Sequence, residues 1–73
     1  WGGEEFVVAL PGADDGLAAE ILDRLRRAMP MNLTCSIGYT AWADDDDLHS
    51  CIARADRALY AAKDAGRNRV VYL

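Results

Sequence analysis

Residues 33–41 alternate without a break, and that alternation constrains the fold more than any other stretch of the chain. Leu33, Cys35, Ile37, Tyr39 and Ala41 share one side of an extended strand, and Thr34, Ser36, Gly38 and Thr40 share the other. Successive strand side chains point to opposite faces, so the second face carries only small groups and a helix can approach it closely. Downstream, Leu48, Ile52, Ala55, Leu59 and Ala62 recur at helical spacing over four turns. Gly66 stands where a left-handed residue ends a helix, with Lys63 and Arg67 flanking the negative end of the helix dipole. Val70-Val71-Tyr72-Leu73 then reads as a final strand.

The upstream third is organised in the same way. Gly2-Gly3 reads as a two-residue hairpin turn, since adjacent glycines accept the positive φ values that primed turns require. Phe6-Val7-Val8-Ala9-Leu10 is a continuous apolar run of strand length, expected to be buried on both faces and ended by Pro11-Gly12. Asp14 and Asp15 suit a helix start. Leu17, Ile21, Leu25 and Ala28, flanked by Leu22, form an apolar stripe, and Pro30 stops the helix. The predicted order is strand, helix, strand, helix, strand: an α/β (α+β) half-domain with no repeat or linker.

At 73 residues the chain is one small domain at most, and chains of this size bury only roughly 60% of their unfolded surface. A hydrophobic content of 52% still supports a packed core. The net charge of −4 argues against a nonspecific grip on nucleic acid, which needs clustered Lys and Arg. Cys35 and Cys51 fit neither a disulfide framework nor a zinc spacing and read as reduced, interior thiols. No apolar run approaches the roughly 20 residues that span a bilayer.

Two groups of residues could carry chemistry. Glu4 and Glu5 follow the Gly2-Gly3 turn, and as strand neighbours they cannot both aim at one point. A carboxylate beside a turn without side chains is well placed to hold a hard divalent cation; an ordinary hairpin with a charged rim would have the same sequence. Lys63 and Arg67 lie four apart across a helix end, where they could clamp a polyphosphate or simply complement the dipole. The four consecutive aspartates at 44–47 read as an acidic helix start rather than a metal site. His49 reads as solvated, and Trp1 and Tyr39 as packing aromatics. Asp56 is expected to cap or to pair with Arg57, Arg54 or a missing segment.

Together these blocks resemble one family. Trp1-Gly2-Gly3-Glu4-Glu5-Phe6 is similar to the signature loop of GGDEF domains in its GGEEF form. Residues 55–70, ADRALYAAKDAGRNRV, look like that family's terminal helix and strand, and Thr34-Cys35-Ser36-Ile37-Gly38 resembles its central strand. The three blocks stand in the family's order and cover the whole chain.

The resemblance implies a diguanylate cyclase that condenses two GTP molecules into cyclic di-GMP and pyrophosphate on a ferredoxin-like nucleotidyl-cyclase palm fold. It implies that Glu4 is a ligand of Mg²⁺ (or Mn²⁺) and a catalytic residue with Glu5, that Gly2 and Gly3 lie against the nucleotide, and that Lys63 and Arg67 contact GTP phosphates. It also implies a second GGDEF domain as homodimer partner, an N-terminal sensory or receiver domain, and a cytoplasmic location, with membrane tethering through another domain left open. Residues 1–73 match the C-terminal part of such a domain. The strand with a second metal-binding Asp, the guanine-contacting segment and the Arg-x-x-Asp inhibition motif have no counterpart, so the chain alone is expected to be inactive. A non-catalytic GTP-binding or regulatory module, or an oligomerising half-domain, are the alternatives.

Overall fold

A computed structural model describes Leu10 and residues 14–73. The Gly2-Gly3 turn, and all but the last residue of the strand expected at 6–10, lie outside these residues. The described part runs α1 (Asp15–Arg27), β1 (Ile37–Tyr39), α2 (Leu48–Asp64) and β2 (Val70–Tyr72).

Asp14 starts α1 as its N-cap: the Leu17 N–H donates to its carboxylate at 2.8 Å, satisfying one of the donors a helix start leaves unpaired. The helix closes at Ala28, whose N–H reaches the carbonyls of Arg24 and Leu25. The buried stripe differs from the expected one. Leu22 is the deepest side chain, while Leu17 and Leu25 stay about half exposed. α1 packs against β2 and, one turn after Leu22, Arg26 bonds Asn68 just ahead of that strand.

A tight turn at residues 30–33 links α1 to β1. The Leu33 N–H donates to the Pro30 carbonyl at 3.0 Å, and Met31 and Asn32 have φ of 59° and 63°, the signs of a type I′ turn.

β1 and β2 pair in parallel, with Ile37 opposite Val70, Gly38 opposite Val71 and Tyr39 opposite Tyr72. The Ile37 N–H donates to the Arg69 carbonyl at 2.9 Å and the Leu73 N–H to the Tyr39 carbonyl at 3.1 Å, prolonging the ladder at both ends. The strand expected over 33–41 therefore shortens to three residues, because β2 offers partners only there; Leu33 and Thr34 remain exposed. Parallel neighbours need a long crossover, and α2 is that crossover.

The helix lies on the small-residue face of β1. A Cβ built on Gly38 would fall 2.0 Å from the Leu59 nitrogen and 2.5 Å from the Ala58 carbonyl carbon, so the strand and helix backbones touch. Ala58 and Ala62 are fully buried at this contact. Along the predicted stripe Ile52, Ala55 and Leu59 are half-buried, but Leu48 is 65% exposed, because the first turn of α2 extends past the end of β1. On the side of the sheet shared by Ile37 and Val70, the rings of Tyr39 and Tyr72 lie against each other, tilted by 39° with centroids 4.9 Å apart. Both cysteines are free and half-buried. Among the described residues no helix is long and apolar enough to cross a membrane.

Candidate functional site

The signature residues Gly2, Gly3, Glu4 and Glu5 lie outside the described residues. The described part of the candidate site is the turn from α2 into β2, which carries Lys63 and Arg67. Lys63 is in the last turn of the helix and Ala65 is its C-cap. The Arg67 N–H returns to the Ala62 carbonyl at 2.9 Å and the Gly66 N–H to the Lys63 carbonyl at 3.4 Å. This is a Schellman closure around Gly66, whose φ is +122°. It brings Lys63 and Arg67 to the same end of the helix, as their spacing predicts.

The chain does not relax after Gly66. Arg67 and Asn68 also have positive φ, 64° and 45°, a conformation that costs roughly 1–2 kcal/mol at Arg67 and less at Asn68, whose short polar side chain accommodates it. Such backbone persists only where its surroundings hold it, and here three contacts do so. The Asn68 N–H donates to Ser36 Oγ at 3.1 Å. Arg26 Nη1 donates to Asn68 Oδ1 at 2.9 Å. Arg69 Nε curls back to the Arg67 carbonyl at 3.0 Å.

Lys63, Arg67, Arg69 and Arg26 thus all belong to or touch one turn, which makes it a cationic corner on an acidic chain. The exposed Arg67 guanidinium has no ion pair among the described residues. Lys63 also lines an open groove of about 210 Å³ along α2, with Asp56, Leu59 and Tyr60.

The aspartates at 44–47 do something different from the helical first turn expected of them. Asp47 is the one that caps the helix: it is the N-cap of α2, in a capping box with Ser50. Asp46 belongs to the preceding turn, where Ala43 N–H and Ser50 Oγ each donate to its carboxylate at 2.8 Å. Arg54 grips it with two guanidinium nitrogens. Those bonds, with Arg54 first, hold the Asp46 carboxyl well below the usual carboxylate range.

Arg54 also donates to Thr40 Oγ1 at 2.6 Å and to the Ala41 carbonyl at 2.8 Å, and Thr40 in turn donates to the Leu73 carbonyl at 2.6 Å. Of the partners expected for Asp56, Arg54 is taken instead by Asp46. The sequence reading missed Asp46 because their eight-residue separation spans a turn and a helix start. Among the described residues no three His, Cys, Asp or Glu side chains gather to hold a metal; Glu4, the expected ligand, lies outside them.

A parallel βαβ unit whose crossover helix ends in a cation-rich, left-handed turn is an α/β arrangement suited to an anionic ligand. The family model described as diguanylate cyclase, GGDEF domain, matches residues 1–69. The chain belongs to the GGDEF family. It is 41% identical over 80 residues to diguanylate cyclase DgcP of Pseudomonas aeruginosa, covering 96% of this chain and 12% of that protein. It is 34% identical over 86 residues to diguanylate cyclase VdcA of Vibrio cholerae, covering all of this chain and 25% of VdcA. Against response regulator PleD of Caulobacter vibrioides it is 37% identical over 84 residues, covering 97% of this chain and 18% of PleD. The chain therefore spans a quarter or less of these relatives. No solved structure matches it.

Proposed function

We propose that this chain is the C-terminal part of a diguanylate cyclase domain and that its α2–β2 turn binds the phosphates of GTP. The observation that carries the reading is the cationic corner: Arg67 is held in a costly left-handed conformation, exposed and without an ion pair among the described residues, one helix end from Lys63. A helix C-terminus repels anions through its own dipole, so side chains must supply the attraction. Lys serves as a point charge and Arg as a bidentate fork.

The reaction is the condensation of two GTP molecules into cyclic di-GMP. The 3′-oxygen of each GTP attacks the α-phosphorus of the other, the bond to the β-phosphate bridge breaks, and pyrophosphate leaves while the hydroxyl gives up its proton. Such transfers depend mostly on positioning and charge neutralisation. Lys63 and Arg67 hold the phosphates and take up their charge. Glu4 is the residue that would hold Mg²⁺ (or Mn²⁺), which supplies further neutralisation when bound, and Glu5 supports it. Gly2 and Gly3 let the nucleotide approach the backbone. A ferredoxin-like palm fold and face-to-face pairing with a second GGDEF domain complete the proposal, since each site holds one GTP. A sensory or receiver domain would control that pairing, in the cytoplasm where GTP is found.

The test is incubation of the full-length protein with GTP and Mg²⁺, with cyclic di-GMP read by chromatography. Product formation lost in Glu4→Gln and restored by neither metal is the expected result. GTP binding without any product in wild type would favour a non-catalytic module instead. The 73 residues alone are expected to give no product.

A further inference from the structure

We infer that Arg26 and Asn68 form a clasp that presets Arg67 for its ligand, so that both are positioning residues for the phosphate site; this rests on the phosphate-binding reading above. The turn after Gly66 makes two consecutive non-glycine residues left-handed, Arg67 and Asn68. Asn68 accommodates this conformation, but nothing local favours it at Arg67, and the Schellman closure needs only Gly66. The force comes from outside the turn.

Arg26 on α1 reaches 42 positions along the chain to donate to Asn68 Oδ1. Its own side chain is only 21% exposed and is fixed by a second bond, Nε to Asp23 at 2.8 Å. From the opposite direction Ser36, just before β1, accepts the Asn68 N–H. Asn68 is therefore held at both its amide and its side chain, by a helix and by a strand entry. Arg67 is the residue immediately before it, and its φ and ψ are set by where Asn68 is fixed.

The geometry has a consequence for binding. A flexible turn would let the Arg67 guanidinium sample many directions, and immobilising a long side chain on a ligand costs affinity. A turn already locked in place removes the backbone share of that cost. An arginine displaced by even an ångström from a phosphate loses its bidentate geometry. The clasp joins α1 to the phosphate turn without touching the ligand.

Asn68→Gly separates the clasp from the backbone, because glycine accepts positive φ freely while losing the oxygen that Arg26 grips. Arg26→Met keeps the apolar stem and removes the bond, and Asp23 retains its ion pair with Arg27 at 3.1 Å. Asn68→Asp keeps an acceptor and tolerates the same φ. The assay is equilibrium binding of GTP to the full-length protein, with kcat and the urea midpoint measured alongside.

The expected result is a GTP dissociation constant raised about tenfold in Asn68→Gly and in Arg26→Met, with kcat at saturation unchanged. The double variant should be no worse than either single one, since both remove the same bond, and Asn68→Asp, which keeps the Arg26 bond but adds a negative charge, should lose less affinity than Asn68→Gly. Affinities within twofold of wild type in both single variants, while Arg67→Ala binds weakly, would overturn the clasp alone. Unchanged GTP affinity in Arg67→Ala would overturn the phosphate-site reading and the clasp with it. Parallel losses of urea midpoint and affinity that Asn68→Asp shares in full would also overturn it, because they mark a merely structural bond.

Discussion

Replacing Gly38 by alanine adds one methyl group where the structure has no room for it. The new Cβ would lie 2.0 Å from the Leu59 nitrogen and 2.5 Å from the Ala58 carbonyl carbon and the Leu59 Cα, against 3.4 Å or more for an ordinary contact. All three neighbours are backbone atoms of α2, so no side chain can swing aside. The helix must lift from β1 by more than an ångström. That movement opens voids around Ala58 and Ala62, which are now fully buried, and strains the Arg54–Thr40 bond of 2.6 Å. Overpacking costs about 1–3 kcal/mol where surroundings can adjust; with a rigid helix backbone as neighbour we expect about 3 kcal/mol, a large share of a small domain's stability. Urea denaturation followed by circular dichroism measures it. Thr34→Ala, ahead of β1 and exposed, is the control and should stay within about 0.5 kcal/mol. Ala58→Gly should not rescue Gly38→Ala, because the clash is with backbone. A loss below about 1 kcal/mol in Gly38→Ala would show that the helix does not sit against the strand backbone as described.

Met31→Gly should raise stability by about 1 kcal/mol, since Met31 is 89% exposed and its φ is 59°, so relief of strain outweighs the little packing its side chain provides; a thermal melt reads this. Arg67→Gly should likewise stabilise the fold by about 1 kcal/mol while weakening GTP binding, and a variant that gains stability and keeps its affinity would show that the strain serves no ligand. Asp46 gives a pH dependence. Its folded carboxyl lies below the ordinary value of 3.8, held there first by Arg54, so the unfolded chain takes up the proton first on acidification. Its contribution is fully present above about pH 4 and is lost as pH falls toward the folded value. Asp46→Asn should therefore melt lower at neutral pH and show a flatter acid limb than wild type between pH 4 and 2.

The parts of the fold carried by local patterns were legible in the sequence. The Thr34-Ser36-Gly38-Thr40 face announced a close helix approach, and Gly38 delivers it at Ala58. Gly66 announced the helix end, and the Schellman bonds are there. Less legible were features set by partners far along the chain. Nothing near Arg26 points to Asn68, and only packing makes Leu22 rather than Leu25 the buried residue of α1. The acidic run looked uniform, yet its four members differ: Asp47 caps, Asp46 is gripped by Arg54, and Asp44 and Asp45 are exposed. Of the site, Lys63 and Arg67 were placed at one helix end by their spacing alone, but the left-handed strain at Arg67 was not readable from it.

The way α2 is held explains why polar contacts matter so much in this fold. Its central contact with β1 is made by Gly38, Ala58 and Ala62, residues with almost no side chain, so it permits close approach but buries little apolar area to resist sliding along the strand. Direction and register must come from elsewhere, and directional bonds supply them at both ends. Near the start, Arg54 ties the helix to Thr40, Ala41 and Asp46. At the finish, the Schellman closure and Asn68 tie it to Ser36 and Arg26. The two sets are independent, about nine residues or some 13 Å of helix apart from Arg54 to Lys63 at 1.5 Å per residue. Arg54→Met should accordingly lower stability and increase hydrogen exchange around residues 40–50 while leaving exchange at Asn68 unchanged. Equal loosening at both ends would mean that the small-residue contact, rather than its polar flanks, fixes the helix.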